Sequence, residues 1–297
     1  MPQRFKSLLI ALLLTATLPL LSGCNMVLFE PKGAIAAEQI RLIIIATILM
    51  LLIVVPVIVM TIVIAWRYRA SNTKATYEPN WAHSVKLEVI WWGVPCIIVA
   101  ILATLTWFTT HSLDPYKPLD SKVKPVTIQV IALDWKWVFV YPEQGIATIN
   151  YIEIPENTPI SFEITAQGPM NSFWIPQLGG QIYAMAGMRT RLHLIADTQG
   201  VYDGLSANYS GEGFAEMTFK VKVETPSDFA KWVETVKASP DALTTNVFNA
   251  LIAPSSNIPV QYFSSVQPNL FNDEMMKFMM PPMTQMALSD ETTLAVE

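Results

Sequence analysis

The chain has 297 residues, of which 52% are hydrophobic and only 14% are charged, and its formal net charge is −5 at pH 7. It is richer in apolar residues and poorer in charge than soluble globular proteins, which excludes a purely soluble chain, so part of it is expected to lie in lipid. Its two cysteines, Cys24 and Cys96, are not expected to form a disulfide because Cys96 lies inside a long apolar run.

The N-terminus has the layout of a secretory signal, because Arg4 and Lys6 precede an apolar run. The run ends in Leu-Ser-Gly-Cys, which resembles the bacterial lipobox, where the peptide is cut before a cysteine that then carries lipid. We therefore predict a signal peptide over residues 1–23 and a lipidated N-terminal segment over 24–41, with Cys24 as the lipidated residue. The alternative is a signal peptide whose cleavage site merely lies beside an ordinary cysteine.

Two stretches without any charged residue, 42–65 and 89–110, are each long enough to cross a bilayer, which takes roughly 20 residues. We predict a transmembrane helix in each. The connecting segment, 66–88, is predicted to be a cytoplasmic loop because it carries positive charges close to the helix ends. These charges are Arg67, Arg69, Lys74 and Lys86. The second helix then runs outward, so the rest of the chain is expected to lie outside the cytoplasm, as the signal peptide also requires.

After a proline-spaced linker, short runs of alternating apolar and polar residues predict an all-β sandwich over 123–225. Strands are predicted at 126–130, 137–141, 160–164 and 191–195. Past Pro226 the apolar residues follow a helical period, which predicts a helical C-terminal region over 226–280. The polar, acidic tail over 281–297 is expected to be disordered.

The segment SANYSGEGFAEM, residues 206–217, has the glycine content of a ligand-binding loop. It is not a phosphate-binding loop, because no lysine follows the glycines and no helix pattern follows the loop. Residues 215–223 instead alternate between apolar and polar, which predicts a strand.

The order of these parts resembles subunit II of the haem-copper respiratory oxidases, whose sandwich is a cupredoxin. Three stretches carry the resemblance, which covers the chain from about Cys24 to Met280. They are HSVKLEVIWWGVP at 83–95, DWKWVFVYPE at 134–143 and MNSFWIPQLGGQIYAMAGM at 170–188. The implied fold is a two-helix transmembrane hairpin plus an all-β cupredoxin-like sandwich, with a short helical C-terminal extension.

In the copper-bearing members of that family, the glycine-rich loop reads C-S-E-x-C-G-x-x-H-x-x-M and holds a dinuclear copper centre. The resemblance places the copper-ligand positions, as we call them below, at Asn171, Ser206, Asn208, Ser210, Phe214 and Met217. Only Met217 matches the pattern. Thiolates and imidazoles are the ligands that copper prefers, and residues 123–225 contain no cysteine and one histidine, His193. We therefore expect no metal site in this chain.

The loop looks like that of the bo-type ubiquinol oxidases, in which quinol is oxidised within the membrane. The resemblance implies a subunit of a proton-pumping ubiquinol oxidase in the bacterial inner membrane, with a structural role and no catalytic activity alone. Haem b, haem o, copper and ubiquinol are then expected in the partner subunit I. The expected partners are subunit I, other membrane subunits and membrane lipid, and no nucleic acid is expected.

Glu88, at the start of the second predicted span, is the candidate for proton uptake. Placing an ionisable group at the edge of the hydrocarbon costs free energy, so such a group is usually paired, hydrated or functional. A glutamate in the first turn, beside Lys86, can also simply complement the helix dipole. The resemblance favours proton uptake, because the matching glutamate in the haem-copper oxidases lies near the cytoplasmic mouth of a proton pathway in subunit I.

A second hypothesis is a free-standing membrane lipoprotein with a cupredoxin-like binding or copper-delivery domain. The tract MMKFMMPPM at 275–283 could suit Cu(I), although methionines more often serve as adaptable apolar contacts. His83 and His111 flank the second span at opposite ends and are expected to form no common site. Trp135 and Trp137 are expected to pack in the core or at an interface.

Overall fold

The computed structural model describes residues 26–76 and 78–279. The predicted signal peptide, Cys24 and the predicted disordered tail lie outside these described residues. The described chain forms a pair of long helices, a β-sandwich and a C-terminal region that packs against the sandwich.

The two long helices are α1, Ala34–Arg67, and α2, Val85–Ser112, which contain the two predicted spans and extend them at both ends. Both are long and apolar enough to cross a membrane. Pro56 and Pro95 lie inside them without ending the helix. Most of their apolar side chains are exposed, which indicates surfaces that face lipid or other membrane helices.

The rest of the chain is built on a sandwich of two sheets. The strands are β1 Val126–Leu133, β2 Lys136–Tyr141, β3 Ile146–Ile149, β4 Tyr151–Pro155, β5 Ile160–Ala166, β6 Asn171–Trp174, β7 Ile182–Ala184, β8 Thr190–Leu194, β9 Gly200–Ser206, β10 Thr218–Glu224 and β11 Gln261–Phe263. One sheet has the order β11-β3-β2-β1-β5-β8 and the other β4-β10-β9-β6-β7. Neighbouring strands are antiparallel except β1 with β5 and β4 with β10, which are parallel. The predicted sandwich is confirmed.

Aromatic side chains fill the space between the two sheets. Phe173 and Phe219 stack with ring centroids 5.1 Å apart, and Trp137 meets Phe173 edge-on at 5.4 Å. Phe139 lies 5.1 Å from Phe219. Such aromatic pairs contribute roughly 0.5–1.5 kcal/mol each beyond the area they bury. This cluster holds β2 of one sheet against β6 and β10 of the other.

The C-terminal region contains α3 Pro226–Lys237, α4 Thr245–Leu251 and α5 Leu270–Met276. The sequence predicts only helices here, but Gln261–Phe263 form β11, which pairs antiparallel with β3. A strand edge presents unpaired backbone donors and acceptors, and β11 satisfies those of β3. The C-terminal region therefore contains the predicted helices and also adds an edge strand to the six-stranded sheet.

A second apolar cluster lies on the outer face of the six-stranded sheet, beneath the C-terminal region. The sheet contributes Ile131, Leu133, Val138, Val140, Ala147 and Ile149, and the C-terminal region contributes Leu243, Phe248, Phe263, Leu270 and Phe271. Every residue of β2 is buried as a result. Burial on both faces explains why the strand reads as a continuous apolar run rather than an alternating one.

A buried lysine ties the C-terminal region to this sheet. Lys136 is fully buried, and its Nζ donates to the carbonyl oxygens of Leu251 and Ala253, at 2.8 Å each. A cation is favourable at the C-terminal end of a helix, where the last carbonyls lack partners. Burial lowers the pKa of Lys136, while the charge of nearby Asp134 opposes this shift.

The segment before α1 is fastened to the sandwich through its backbone. The Lys32 amide donates to the Gln177 carbonyl at 2.8 Å, and the Asp197 amide donates to the Lys32 carbonyl at 2.8 Å. At Gly33 a Cβ atom would lie 2.1 Å from the Ile195 carbonyl oxygen, so only glycine allows this approach. The sandwich is thereby held against the N-terminal end of α1.

Candidate functional site

Two of the copper-ligand positions contact each other directly. Asn171 begins β6 and Ser206 ends β9, and the Ser206 hydroxyl donates to Asn171 Oδ1 at 3.1 Å. The Asn171 side-chain amide donates to the Pro169 carbonyl at 3.0 Å, and the Ser172 amide donates to the Ser206 hydroxyl at 3.4 Å. Both side chains are buried, so these polar groups are satisfied by each other and by backbone.

Trp135 organises the rest of the glycine-rich loop. Its Nε1 donates to the Ser210 carbonyl at 3.2 Å, and a Cβ atom at Gly213 would lie 2.5 Å from the indole ring. The Asn208 side-chain amide also closes the turn by donating to the Met170 carbonyl at 3.0 Å. The glycine therefore makes room for the indole, and the loop is held as a turn by hydrogen bonds.

The last two copper-ligand positions have apolar surroundings. Phe214 is half-buried and meets Tyr209 edge-on at 5.6 Å. Met217 is buried in the aromatic core between the sheets, and its carbonyl accepts from the Ser206 amide at 3.0 Å. The six positions are thus brought into one region, where a side-chain hydrogen bond joins Asn171 to Ser206.

The residues at these positions do not fit a copper centre. They supply a hydroxyl, two amides, a second hydroxyl and an aromatic ring where copper requires thiolates and imidazoles, and one thioether alone is a weak ligand. Among residues 26–76 and 78–279, no group of three or more His, Cys, Asp or Glu side chains is arranged to hold a metal ion. The loop is a hydrogen-bonded turn.

His193, the one histidine of the sandwich, lies on β8 away from the loop. It lines a cavity of about 560 Å³ between the sandwich and the adjoining ends of α1 and α2, together with Gln39 and Asp114. Burial, and secondarily the charge of Arg191, lowers the pKa of His193. Among the described residues that line this cavity there is no cysteine, methionine or second histidine.

Glu88 lies in the first turn of α2, as the sequence predicts. Its side chain contacts His83 rather than the neighbouring Lys86. Glu88 Oε1 lies 2.5 Å from His83 Nδ1. Lys86 is two residues away on the same helix, a spacing that places side chains on different faces. The side chains are 60% exposed for His83 and 39% exposed for Glu88. The sequence alone predicts no partner for His83, although its position just before the helix places it within reach of the first turn.

Of the other candidates, Cys96 and His111 lie on α2. Cys24 lies outside the described residues, and Cys96 is an exposed free thiol on α2. His111 lies in the last turn of α2, at the opposite end of the helix from His83, and its ring is tilted against that of Trp107 with the ring centroids 4.6 Å apart.

The two apolar helices and the sandwich together define a membrane-anchored protein with a cupredoxin-like domain. Residues 143–224 match the family described as "Cytochrome C oxidase subunit II, periplasmic domain", and residues 237–282 match the "COX Aromatic Rich Motif". The second match coincides with the region that covers the outer face of the six-stranded sheet.

Relatives that match most of the chain identify the branch of this family to which it belongs. The cytochrome bo(3) ubiquinol oxidase subunit 2 of Pseudomonas aeruginosa is 57% identical, over 87% of this chain and 78% of its own. The ubiquinol oxidase subunit 2 of Acetobacter aceti is 51% identical, over 87% of this chain and 85% of its own. The quinol oxidase subunit 2 of Bacillus cereus strain ATCC 10987 is 41% identical, over 83% of this chain and 86% of its own. The chain belongs to the quinol oxidase branch of the subunit II family of haem-copper oxidases.

Proposed function

We propose that this chain acts as subunit II of a proton-pumping ubiquinol oxidase in the inner membrane of a Gram-negative bacterium. The relatives that are 51% and 57% identical carry the name ubiquinol oxidase subunit 2, which supports the proposal. The complex oxidises ubiquinol and reduces oxygen to water, and haem b, haem o and copper belong to its subunit I. This chain is not catalytic by itself.

The glycine-rich loop supports a membrane-dissolved quinol, rather than a soluble redox protein, as the electron donor. Asn171 and Ser206 hydrogen-bond to each other at the position where a copper-bearing relative needs histidine and cysteine. A soluble donor outside the membrane therefore finds no redox ligand set in this domain. A quinol, which dissolves in the bilayer, can reach the partner subunit without passing through the sandwich.

The structural role rests on the two helices and their attachment to the sandwich. Their apolar side chains are exposed along most of α1 and α2, so other membrane subunits or lipid must cover them. The backbone bonds of Lys32 hold the sandwich close to the N-terminal end of α1. This arrangement supports a topology in which both the N-terminus and the sandwich lie on the periplasmic side.

The same topology supports lipidation of Cys24. Residues 26–33 lead from the predicted cleavage site to the bonds that fasten Lys32 to the sandwich, so the mature N-terminus would begin on the outer face. Lipidation takes place on exported segments, which agrees with this arrangement.

Glu88 is the residue that we propose for proton uptake. It lies at the cytoplasmic start of α2 in the proposed topology and is partly exposed, so it can exchange protons with water. His83, as a hydrogen-bond partner, holds the carboxylate in one orientation. The pair is placed to collect protons for the partner subunit.

Purification of the chain from its own membranes tests the proposal. With an affinity tag on the chain and a mild detergent, we expect a haem-bearing subunit to co-purify and the preparation to consume oxygen when ubiquinol is supplied. A chain that purifies alone, without haem, and that binds Cu(I) would instead support the free-standing copper-delivery lipoprotein.

A further inference from the structure

A cluster of four polar side chains lies where β4 and β10 run side by side, with two buried carboxyl groups, a half-buried tyrosine and a lysine whose side chain is 40% exposed. Tyr151 and Glu153 come from β4, and Lys222 and Glu224 come from β10, where Lys222 pairs in register with Glu153. Residues two apart on a strand share a face, so the four side chains meet. Glu153 is 3% exposed and Glu224 is 8% exposed. We call these four residues the carboxyl cluster.

The bonds within the carboxyl cluster are short and specific. The Tyr151 hydroxyl donates to Glu153 Oε1 at 2.5 Å. Lys222 Nζ lies 3.2 Å from Glu153 Oε2 and 2.7 Å from Glu224 Oε2. The remaining oxygen of Glu224, Oε1, is buried and has no hydrogen-bond partner among the described residues. One lysine therefore serves two carboxyl groups.

The charges of the carboxyl cluster do not balance when both carboxyls are ionised. Two carboxylates against one ammonium leave a net negative charge in a place that water hardly reaches, and such a charge is costly. A proton on one carboxyl removes this charge and creates an O–H donor. Consistent with this, burial, and then the interaction with the neighbouring carboxyl group of Glu224, raises the pKa of Glu153 from 4.5 to about 7, although Tyr151 and Lys222 oppose the shift.

The titratable groups packed around the carboxyl cluster do not neutralise its surplus negative charge. Burial raises the pKa values of Tyr141 on β2 and Tyr262 on β11, so both phenols stay neutral. On α3, Asp228 and Lys231 pair with each other at 2.8 Å on the exposed side of the helix. The pKa of Lys222 is raised, chiefly by its bond to Glu224, so its ammonium stays charged.

The carboxyl cluster supports two elements of the C-terminal region. Glu224 is followed by Thr225, whose hydroxyl accepts from the Asp228 amide and caps the N-terminus of α3. The Tyr151 ring lies 6.5 Å from Trp232 of α3 and 6.0 Å from Tyr262 of β11. A change in the charge of the cluster therefore acts on the elements that close the sandwich.

We propose that Glu153 is a buried proton-binding site, completed by Glu224 and Lys222, that fastens the C-terminal region to the β-sandwich when the proton is bound. The folded protein holds this proton more tightly than an unfolded carboxyl does, so the contribution to docking is complete at acidic pH. It is lost as the pH rises through about 7, the pKa of Glu153. Two carboxylates then share one lysine, and their repulsion pushes Glu224 and the start of α3 toward water.

Hydrogen exchange measured by mass spectrometry on the full chain in its purified assembly tests this inference. The protection of amides in residues 226–237 and 261–263 is followed from about pH 5.5 to about pH 8.5, after correction for intrinsic exchange. We expect protection to fall about tenfold over this range in the wild-type protein. Glu153→Gln should remove most of that dependence, and Lys222→Met should move its midpoint to higher pH because the ammonium favours the ionised carboxyl.

A matched control is Glu143→Gln, because Glu143 lies in the turn between β2 and β3 and pairs with Lys124 on the surface. It should retain the wild-type pH dependence. Equal pH dependence in Glu153→Gln and the wild type would overturn the inference, as would constant protection in the wild type.

Infrared difference spectroscopy supplies a second readout that does not depend on opening of α3. We expect the carbonyl band of a protonated carboxyl to be lost across the same pH range in the wild type and to be absent in a Glu153→Gln, Glu224→Gln double variant. An unchanged band in the double variant would also overturn the inference.

Discussion

His83 Nδ1 lies 2.5 Å from Glu88 Oε1 at the start of α2. His83 precedes Ser84, the N-cap residue of the helix, and Glu88 occupies the first turn. The glutamate therefore interacts with a titratable side chain as well as with the positive end of the helix dipole.

Glu88→Ala should slow ubiquinol-dependent oxygen consumption of the assembled complex by about tenfold, because a positioned proton carrier is lost. Haem content and subunit composition should stay unchanged, and Glu88→Asp should retain part of the activity. Glu78→Ala, in the same predicted cytoplasmic loop, is the control and should have no effect. Full activity of an assembled Glu88→Ala enzyme would leave Glu88 with the helix-dipole role alone.

His83→Ala should produce a smaller loss and should change the pH profile of the activity, because Glu88 remains but loses its hydrogen-bond partner. The pH dependence of turnover, measured beside that of Glu88→Ala, checks this expectation. Identical pH profiles for His83→Ala and the wild type would show that His83 does not act through Glu88.

The mature chain should begin at a lipid-modified Cys24, which mass spectrometry of the protein from native membranes can show. Cys24→Ala should remove the lipid mass but leave the chain in the membrane, because two spanning helices anchor far more strongly than lipid chains do. An N-terminus that still begins at Met1, or an unmodified Cys24 thiol, would refute the lipidation proposal.

The wild-type fragment 123–279, which contains the β-sandwich and the C-terminal region, should hold no stoichiometric copper. Elemental analysis of the purified fragment tests this. Residues 226–279 must be included because they cover the outer face of the six-stranded sheet. Combining Asn171→His, Ser206→Cys, Ser210→Cys and Phe214→His should create a coloured copper site if the loop keeps its geometry.

A control that carries only the two histidine substitutions should stay without the thiolate-derived colour, because the sulfur ligands are missing. No copper binding by the fourfold variant would show that the surrounding hydrogen bonds, such as that of Trp135 to Ser210, hold the loop in a different shape.

Lys136→Met should lower the free energy of unfolding of the fragment 123–279 by about 2 kcal/mol. The carbonyls of Leu251 and Ala253 lose a charged donor in this variant. Thermal unfolding should shift down by several degrees. Lys124→Met, which breaks a surface pair with Glu143, should cost less than about 1 kcal/mol. Equal losses in the two variants would contradict the capping role of Lys136.

Part of this protein follows from the sequence alone because the relevant physics is local. An uncharged run such as 42–65 is long enough to span a bilayer whatever surrounds it. Strands β1, β2, β5 and β8 follow from short apolar patterns bounded by turn residues. The mismatch with copper at Ser206 and Phe214 follows from residue type, since no fold turns a hydroxyl or a phenyl ring into a thiolate or an imidazole.

Other features depend on residues that are far apart in the chain. Gln261–Phe263 is too short to show a period, and it becomes a strand only because the edge of β3 lies beside it. Glu153 and Glu224 meet because β4 and β10 are parallel neighbours, which no local pattern reveals. Register and packing decide which distant side chains share a buried space, so the tertiary structure alone identified the C-terminal strand and the carboxyl cluster.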